Sequence, residues 1–102
     1  AGAVPSQIYA KLTDKLPPEL SKGFMGYGQS VKFLGHGIGL HVNELPVIAK
    51  GFDEPLKENM VFAVEPKCGI PGVGTVGVED TYIVKAGHSE CVTGGGIDIM
   101  TV

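Results

Sequence analysis

Gly35-His36-Gly37-Ile38-Gly39-Leu40-His41-Val42-Asn43-Glu44-Leu45-Pro46 is the most informative stretch of this chain. Residues 31–40 read as a strand broken by Gly35, Gly37 and Gly39. Glycine has no Cβ, so three of them around one histidine let neighbouring backbone approach closely and leave the imidazole of His36 accessible. Residues 44–52 mix apolar side chains with Pro46 and Gly51. That mixture predicts an irregular or edge segment.

Upstream, Val4, Ile8 and Leu12 recur at helical spacing, and Leu16 continues the row. Pro5 suits a first helical turn, and Pro17-Pro18 should stop the helix. A second short turn is expected over Glu19–Lys22. Residues 23–29 read as a glycine-spaced connector, Gly-Phe-Met-Gly-Tyr-Gly-Gln. Downstream, Asp53-Glu54-Pro55 is a turn signal. Asn59 stands where a left-handed turn residue is tolerated. Met60-Val61-Phe62-Ala63-Val64 reads as a short strand. Pro66 to Gly77 reads as a Gly/Pro loop, Val78 to Val84 as β-rich, and Ala86-Gly87-His88 as a turn. The chain should close on a Gly94-Gly95-Gly96 loop and a short apolar tail.

The 102 residues suit one domain, 1–102, and leave no room for two. At 43% hydrophobic and 19% charged they support a core and argue against disorder. Aliphatic side chains must fill that core, because Trp is absent. The net charge is −3 and every basic residue is Lys. There is no basic face for nucleic acid and no arginine fork for a carboxylate or phosphate. Cys68 and Cys91 lack metal spacing and suggest reduced thiols in a cytoplasmic setting. No apolar stretch is long enough for a membrane helix, and the start does not resemble a signal peptide.

Gly72-Val73-Gly74-Thr75-Val76-Gly77 fits the dinucleotide-binding pattern G-x-G-x-x-G letter for letter. A Pro-rich loop precedes it and a β-branched strand follows, so no helix N-terminus waits for a pyrophosphate. A glycine-rich hairpin connection is the better reading. His36, Glu65 and Glu79 are more informative. Strand alternation sets Glu65 on one face with Val61 and Ala63, and Glu79 on one face with Thr81 and Ile83. Carboxylates on inward strand faces are costly unless paired or bound to a cation. One His and two carboxylates suit a divalent metal such as Mn, Co, Fe or Zn. Each also has a plainer reading: a loop histidine, a strand-end charge, a solvent-facing strand residue. Cys68 and Cys91 read as inert thiols, Lys67 and Lys85 as solvated, His88 as exposed. Asp80 faces away from Glu79 and suits a hydrogen-bonding role.

Residues 35–46 resemble the G-H-G-I-G-x-x-x-H-E-x-P motif of the pita-bread metallopeptidases, which include Xaa-Pro aminopeptidase, prolidase, methionine aminopeptidase and creatinase. Leu56, Asn59-Met60-Val61-Phe62 and Glu65-Pro66 resemble the family's L-x-x-G-M-V-x-x-x-E-P. Residues 74–84 resemble G-x-R-x-E-D-T-x-x-V, and Val92-Thr93 the closing L-T. The resemblance implies an α+β pita-bread fold, here half of it, with an N-terminal helix packed on a curved antiparallel sheet. It implies two divalent metal ions held by Asp, Asp, His, Glu and Glu, with His36, Glu65 and Glu79 matching the last three. It further implies that Glu65 accepts and shuttles a proton.

Three departures shape the expectation. Nothing in residues 1–35 resembles the segment that carries the two Asp ligands, so the chain reads as the C-terminal portion of a catalytic domain. The family's second His is Asn43 here, which donates a hydrogen bond but cannot act as an acid. His41, two residues earlier, is a candidate substitute that alternation would set on the same face. The family's Arg is Gly77 here, which bears on Xaa-Pro specificity. The expected activity is hydrolysis of an N-terminal peptide bond in a short peptide by the full-length enzyme. The chain alone is expected to be inactive and to hold metal weakly or not at all. Its natural partner is the missing N-terminal half of the domain, and an exposed apolar face would favour a homo-oligomer. Two alternatives carry different chemistry: a non-catalytic pita-bread module that binds peptide or protein, and a creatinase-like hydrolase of a non-peptide C–N bond.

Overall fold

A computed structural model describes residues 1–26 and 30–96. Tyr27-Gly28-Gln29 of the connector and the apolar tail after Gly96 lie outside the described residues. Helix α1 spans Pro5–Thr13, with Pro5 buried in its first turn. An N–H is not needed there, and the ring's fixed φ already suits a helix. The helix ends before Leu16, earlier than Pro17-Pro18 demand. The Thr13 hydroxyl donates back to the Tyr9 and Ala10 carbonyls, each at 3.0 Å. Such local bonds compete with helix propagation. Helix α2 is a single turn, Pro18–Ser21.

Seven strands follow: β1 Phe33–Gly37, β2 Glu44–Ala49, β3 Val61–Val64, β4 Lys67–Ile70, β5 Gly74–Gly77, β6 Asp80–Val84 and β7 Ser89–Cys91. Five form an antiparallel sheet in the order β2-β1-β3-β6-β7, and β4 pairs with β5. The segment expected to be irregular or an edge is the edge strand β2, and its register with β1 shifts at Leu45 and Pro46. Asn59 holds φ 67°, the left-handed turn its type allows.

Two differences have physical causes. The expected loop Pro66–Gly77 is a hairpin, β4 and β5, joined at residues 71–73. Every pair from Val61↔Ile83 to Ile70↔Gly74 keeps one register, and the Val78 N–H donates to the Pro66 carbonyl at 3.2 Å between the two ladders. β3–β4 and β5–β6 are therefore two arms of one long hairpin. Its ladder is interrupted where Pro66 has no N–H to give. Strand β7 was not expected. It is three residues long, and its pairing with β6 supplies the order that its own sequence lacks. The rejected glycine pattern lies in this hairpin, with Gly72 and Gly74 at φ 77° and 120° in and beside its turn. A glycine-rich hairpin connection is what the structure contains.

Met25, Leu34, Ile48, Leu56, Phe62 and Val84 form the core, with Ile8, Tyr9 and Leu12 of α1 packed against it. The helix thus covers one face of the sheet. An apolar cavity of about 240 Å³ remains between Ile8, Ile48, Phe62 and Tyr82. Phe62 is central in that layer and 2% exposed. Phe62→Ala should cost about 3–5 kcal/mol. Urea unfolding of the intact protein measures this as a lower midpoint. A loss under about 1 kcal/mol would mean that the layer collapses onto the gap. No helix among the described residues is long and apolar enough to cross a membrane.

Candidate metal centre

The sheet face away from α1 carries the candidate residues His36 and Glu65. His36 pairs with Val47 on one side and Ala63 on the other, and Ala63 pairs with Thr81. The register is irregular between Phe33 and Gly35. Such a bulge re-aims side chains. It explains how Leu34 lies in the core while His36, two residues on, lines the opposite face.

His36 is 5% exposed, where the sequence suggested an accessible ring. The glycines allow the close backbone approach, but that approach buries the ring rather than displaying it. The Phe33 ring also meets it edge-on, with centroids 6.1 Å apart. Nδ1 is 3.0 Å from the Gly37 carbonyl. A carbonyl only accepts, so in the neutral ring this bond puts the proton on Nδ1 and leaves the lone pair on Nε2. That is the tautomer a metal requires. Nε2 lies 3.8 Å from Glu65 Oε1.

Glu65 follows β3 directly, and its N–H donates to the Leu34 carbonyl at 2.9 Å. Alternation sets it on one face with Ala63, as expected, and the pairing of Ala63 with His36 brings it to the His36 face. Its other oxygen, Oε2, accepts from Lys67 Nζ at 2.5 Å. Lys67, expected to be solvated, is thus paired, with 29% of its side chain exposed. Lys85 also has a partner, Glu90 at 3.7 Å.

Glu79 is exposed and lies between β5 and β6 rather than within a strand. The β-rich run expected from Val78 starts pairing in the large sheet only at Asp80, because Pro66 interrupts the opposite arm. The continuous register nevertheless places Glu79 directly across from Glu65. Among the described residues, no three His, Cys, Asp or Glu side chains converge closely enough to hold an ion. The structure joins His36 to Glu65 and leaves Glu79 at the opposite strand position.

An open cleft of about 330 Å³ borders His36, lined by Phe33, His36, Asn43, Glu44, Leu45 and Val47. Asn43 therefore shares a cavity with His36. His41 does not line it. Residues 38–43 form the loop between β1 and β2, so strand alternation does not relate His41 to Asn43. The backbone of His41 instead shapes that loop, its N–H donating to Glu44 Oε2 at 3.2 Å and its carbonyl accepting from Gly39 N–H at 3.2 Å.

Asp80 has the hydrogen-bonding role expected of it. Its Oδ1 accepts from the Thr93 hydroxyl at 2.6 Å and the Gly95 N–H at 3.2 Å. Both cysteines are free thiols, and His88 is exposed. Lys67 is the residue that the sequence reading missed. The signal was its position two residues after Glu65, which puts both on one face of an extended chain.

An N and an O donor suit a borderline or hard divalent ion. Two donors each about 2.1 Å from one ion stand at most about 4.2 Å apart. The 3.8 Å between His36 Nε2 and Glu65 Oε1 is within that span. The pair thus fits as part of a metal site and needs further carboxylates to complete it.

Residues 1–86 match metallopeptidase family M24. The Xaa-Pro dipeptidase of Pyrococcus furiosus is 38% identical over 85 residues, 82% of this chain and 24% of that protein. The solved X-Pro aminopeptidase of Thermotoga maritima superposes on the whole chain with a TM-score of 0.84 at 30% identity, across 28% of its own length. The Xaa-Pro dipeptidase from Bacillus anthracis matches 98% of this chain and 27% of its own, with a TM-score of 0.79 at 33% identity. The chain spans about a quarter of the length of each of these relatives.

Proposed function

The chain belongs to metallopeptidase family M24, and from that membership we propose that it is the C-terminal portion of a catalytic domain that hydrolyses the N-terminal peptide bond of a short Xaa-Pro peptide. Its helix and antiparallel sheet are part of the pita-bread fold. The observation that carries the reading is the convergence of His36 Nε2 and Glu65 Oε1 beside an open cleft. His36, Glu65 and Glu79 would hold divalent metal (Mn, Co, Fe or Zn, two ions in the complete site), with the remaining ligands supplied by the rest of the domain. Bound metal would activate water and polarise the scissile carbonyl.

The chain's own groups have separate tasks. The Gly37 carbonyl fixes the imidazole tautomer of His36. Glu65, as a carboxylate beside the activated water, would take its proton and pass it to the leaving amine. Asn43 reaches the same cleft and can donate a hydrogen bond to substrate. Its neighbour Leu45 supplies apolar surface for a peptide side chain.

Mn²⁺ titration of the intact protein by calorimetry tests the proposal, together with hydrolysis of an Xaa-Pro dipeptide. Stoichiometric binding is expected, with an affinity at least about tenfold weaker in Glu79→Ala, since one carboxylate ligand is lost. Equal affinity in the two proteins would remove Glu79 from the ligand set. The exposed position of Glu79 and the ammonium on Glu65 favour a second reading, a non-catalytic module that binds peptide. Peptide binding with neither metal binding nor turnover would select it.

A further inference from the structure

The cation nearest Glu65 belongs to the chain itself. Lys67 Nζ is 2.5 Å from Glu65 Oε2, and both side chains are partly buried. In the β4–β5 ladder Lys67 pairs with Gly77. A Cβ on residue 77 would stand 2.6 Å from Lys67 Cβ and 2.8 Å from the Pro66 carbonyl oxygen. Any larger residue at 77 must therefore push the Lys67 stem or the Pro66 backbone aside. Glycine at 77 and lysine at 67 form one unit. The cation that the family pattern puts at 77 is absent there, and a cation stands at the residue directly across the ladder.

This has a consequence for Glu65. Its two oxygens are divided, Oε1 toward His36 and Oε2 to Lys67. We propose that Lys67 is a built-in counter-ion that leaves Glu65 one free oxygen, that metal loading has to displace or tolerate its ammonium, and that Gly77 is the opening that admits it. Lys67 acts through Glu65 and is a positioning residue. The inference rests on the metal reading above and adds to it a determinant of affinity. Like charges in a partly dry site repel strongly, and the partial exposure of both side chains moderates the effect.

The test is Mn²⁺ titration of the intact protein by calorimetry, with melting curves recorded without metal. Lys67→Met and Lys67→Gln remove the charge and keep much of the stem. Each should bind Mn²⁺ at least about tenfold more tightly than the parent, because one cation no longer opposes another. Lys67→Arg keeps the charge and should stay near the parent affinity. A purely structural role would lower the melting temperature of Lys67→Met and Lys67→Gln without tightening Mn²⁺ binding, and that result overturns the inference. So does tighter binding by Lys67→Arg equal to that of the neutral variants. Binding by the parent that is unchanged in every variant removes the inference and leaves the metal reading standing. Absence of Mn²⁺ binding by every protein removes both.

Discussion

Glu65→Gln in the intact protein is expected to lower turnover of an Xaa-Pro dipeptide by at least about a thousandfold, since it removes both a metal ligand and a proton acceptor. The substitution keeps the shape of the side chain and discards its charge. The strand should survive, because the Glu65 contribution to the sheet is its backbone N–H, which donates to Leu34. The melting temperature should therefore stay within a few degrees of the parent value while activity disappears. Gln also leaves the Lys67 ammonium without its counter-ion, so some loss of stability is compatible with the reading. Turnover within about threefold of the parent would show that Glu65 is a structural partner of Lys67 and nothing more.

The second large effect concerns folding. A Cβ placed on Gly35 would press into the Ala63 carbonyl oxygen and stand 3.2 Å from Val64 Cα. Both atoms belong to β3, the middle strand of the large sheet. Neither can retreat without parting β1 from β3. Gly35→Ala should thus destabilise the protein by about 3 kcal/mol, at the upper end for overpacking. Urea unfolding measures it, and a loss below about 1 kcal/mol would mean that the two strands separate freely. Because His36 is the next residue on β1, the same change should also disturb the distance between His36 and Glu65.

These two residues mark how far the sequence could be read. Glycines around His36 implied close backbone approach, and Gly35 against Ala63 is such an approach. The further step to an accessible imidazole failed. Glycine creates room for whichever neighbour packs best, and here the strands and Phe33 take it. His41 shows a similar limit. Alternation relates residues two apart only within a strand, and residues 38–43 are a loop.

Local signals were sufficient where the cause is local. The four-residue spacing of Val4, Ile8 and Leu12 produces α1, the apolar run Val61–Val64 produces β3, and the tolerance of Asn for a left-handed turn appears at φ 67°. The flanks of residues 72–77 were enough to dismiss a dinucleotide site. The α+β class and the family resemblance were legible in residue type and order, and the same motifs singled out His36 and Glu65 as candidates. What tertiary structure alone decided is pairing. One register runs through both arms of the long hairpin. It sets Glu65 opposite Glu79 and Lys67 opposite Gly77, residues that are remote in the chain. A bulge in β1 sends Leu34 and His36 to opposite faces. Register depends on which strand supplies the partner, and Pro66 interrupts this ladder only because another strand lies across from it. That physical dependence on a remote partner is why Glu79 opposite Glu65 and Gly77 opposite Lys67 emerge from the fold, whereas Lys67 beside Glu65 follows from their spacing in the chain.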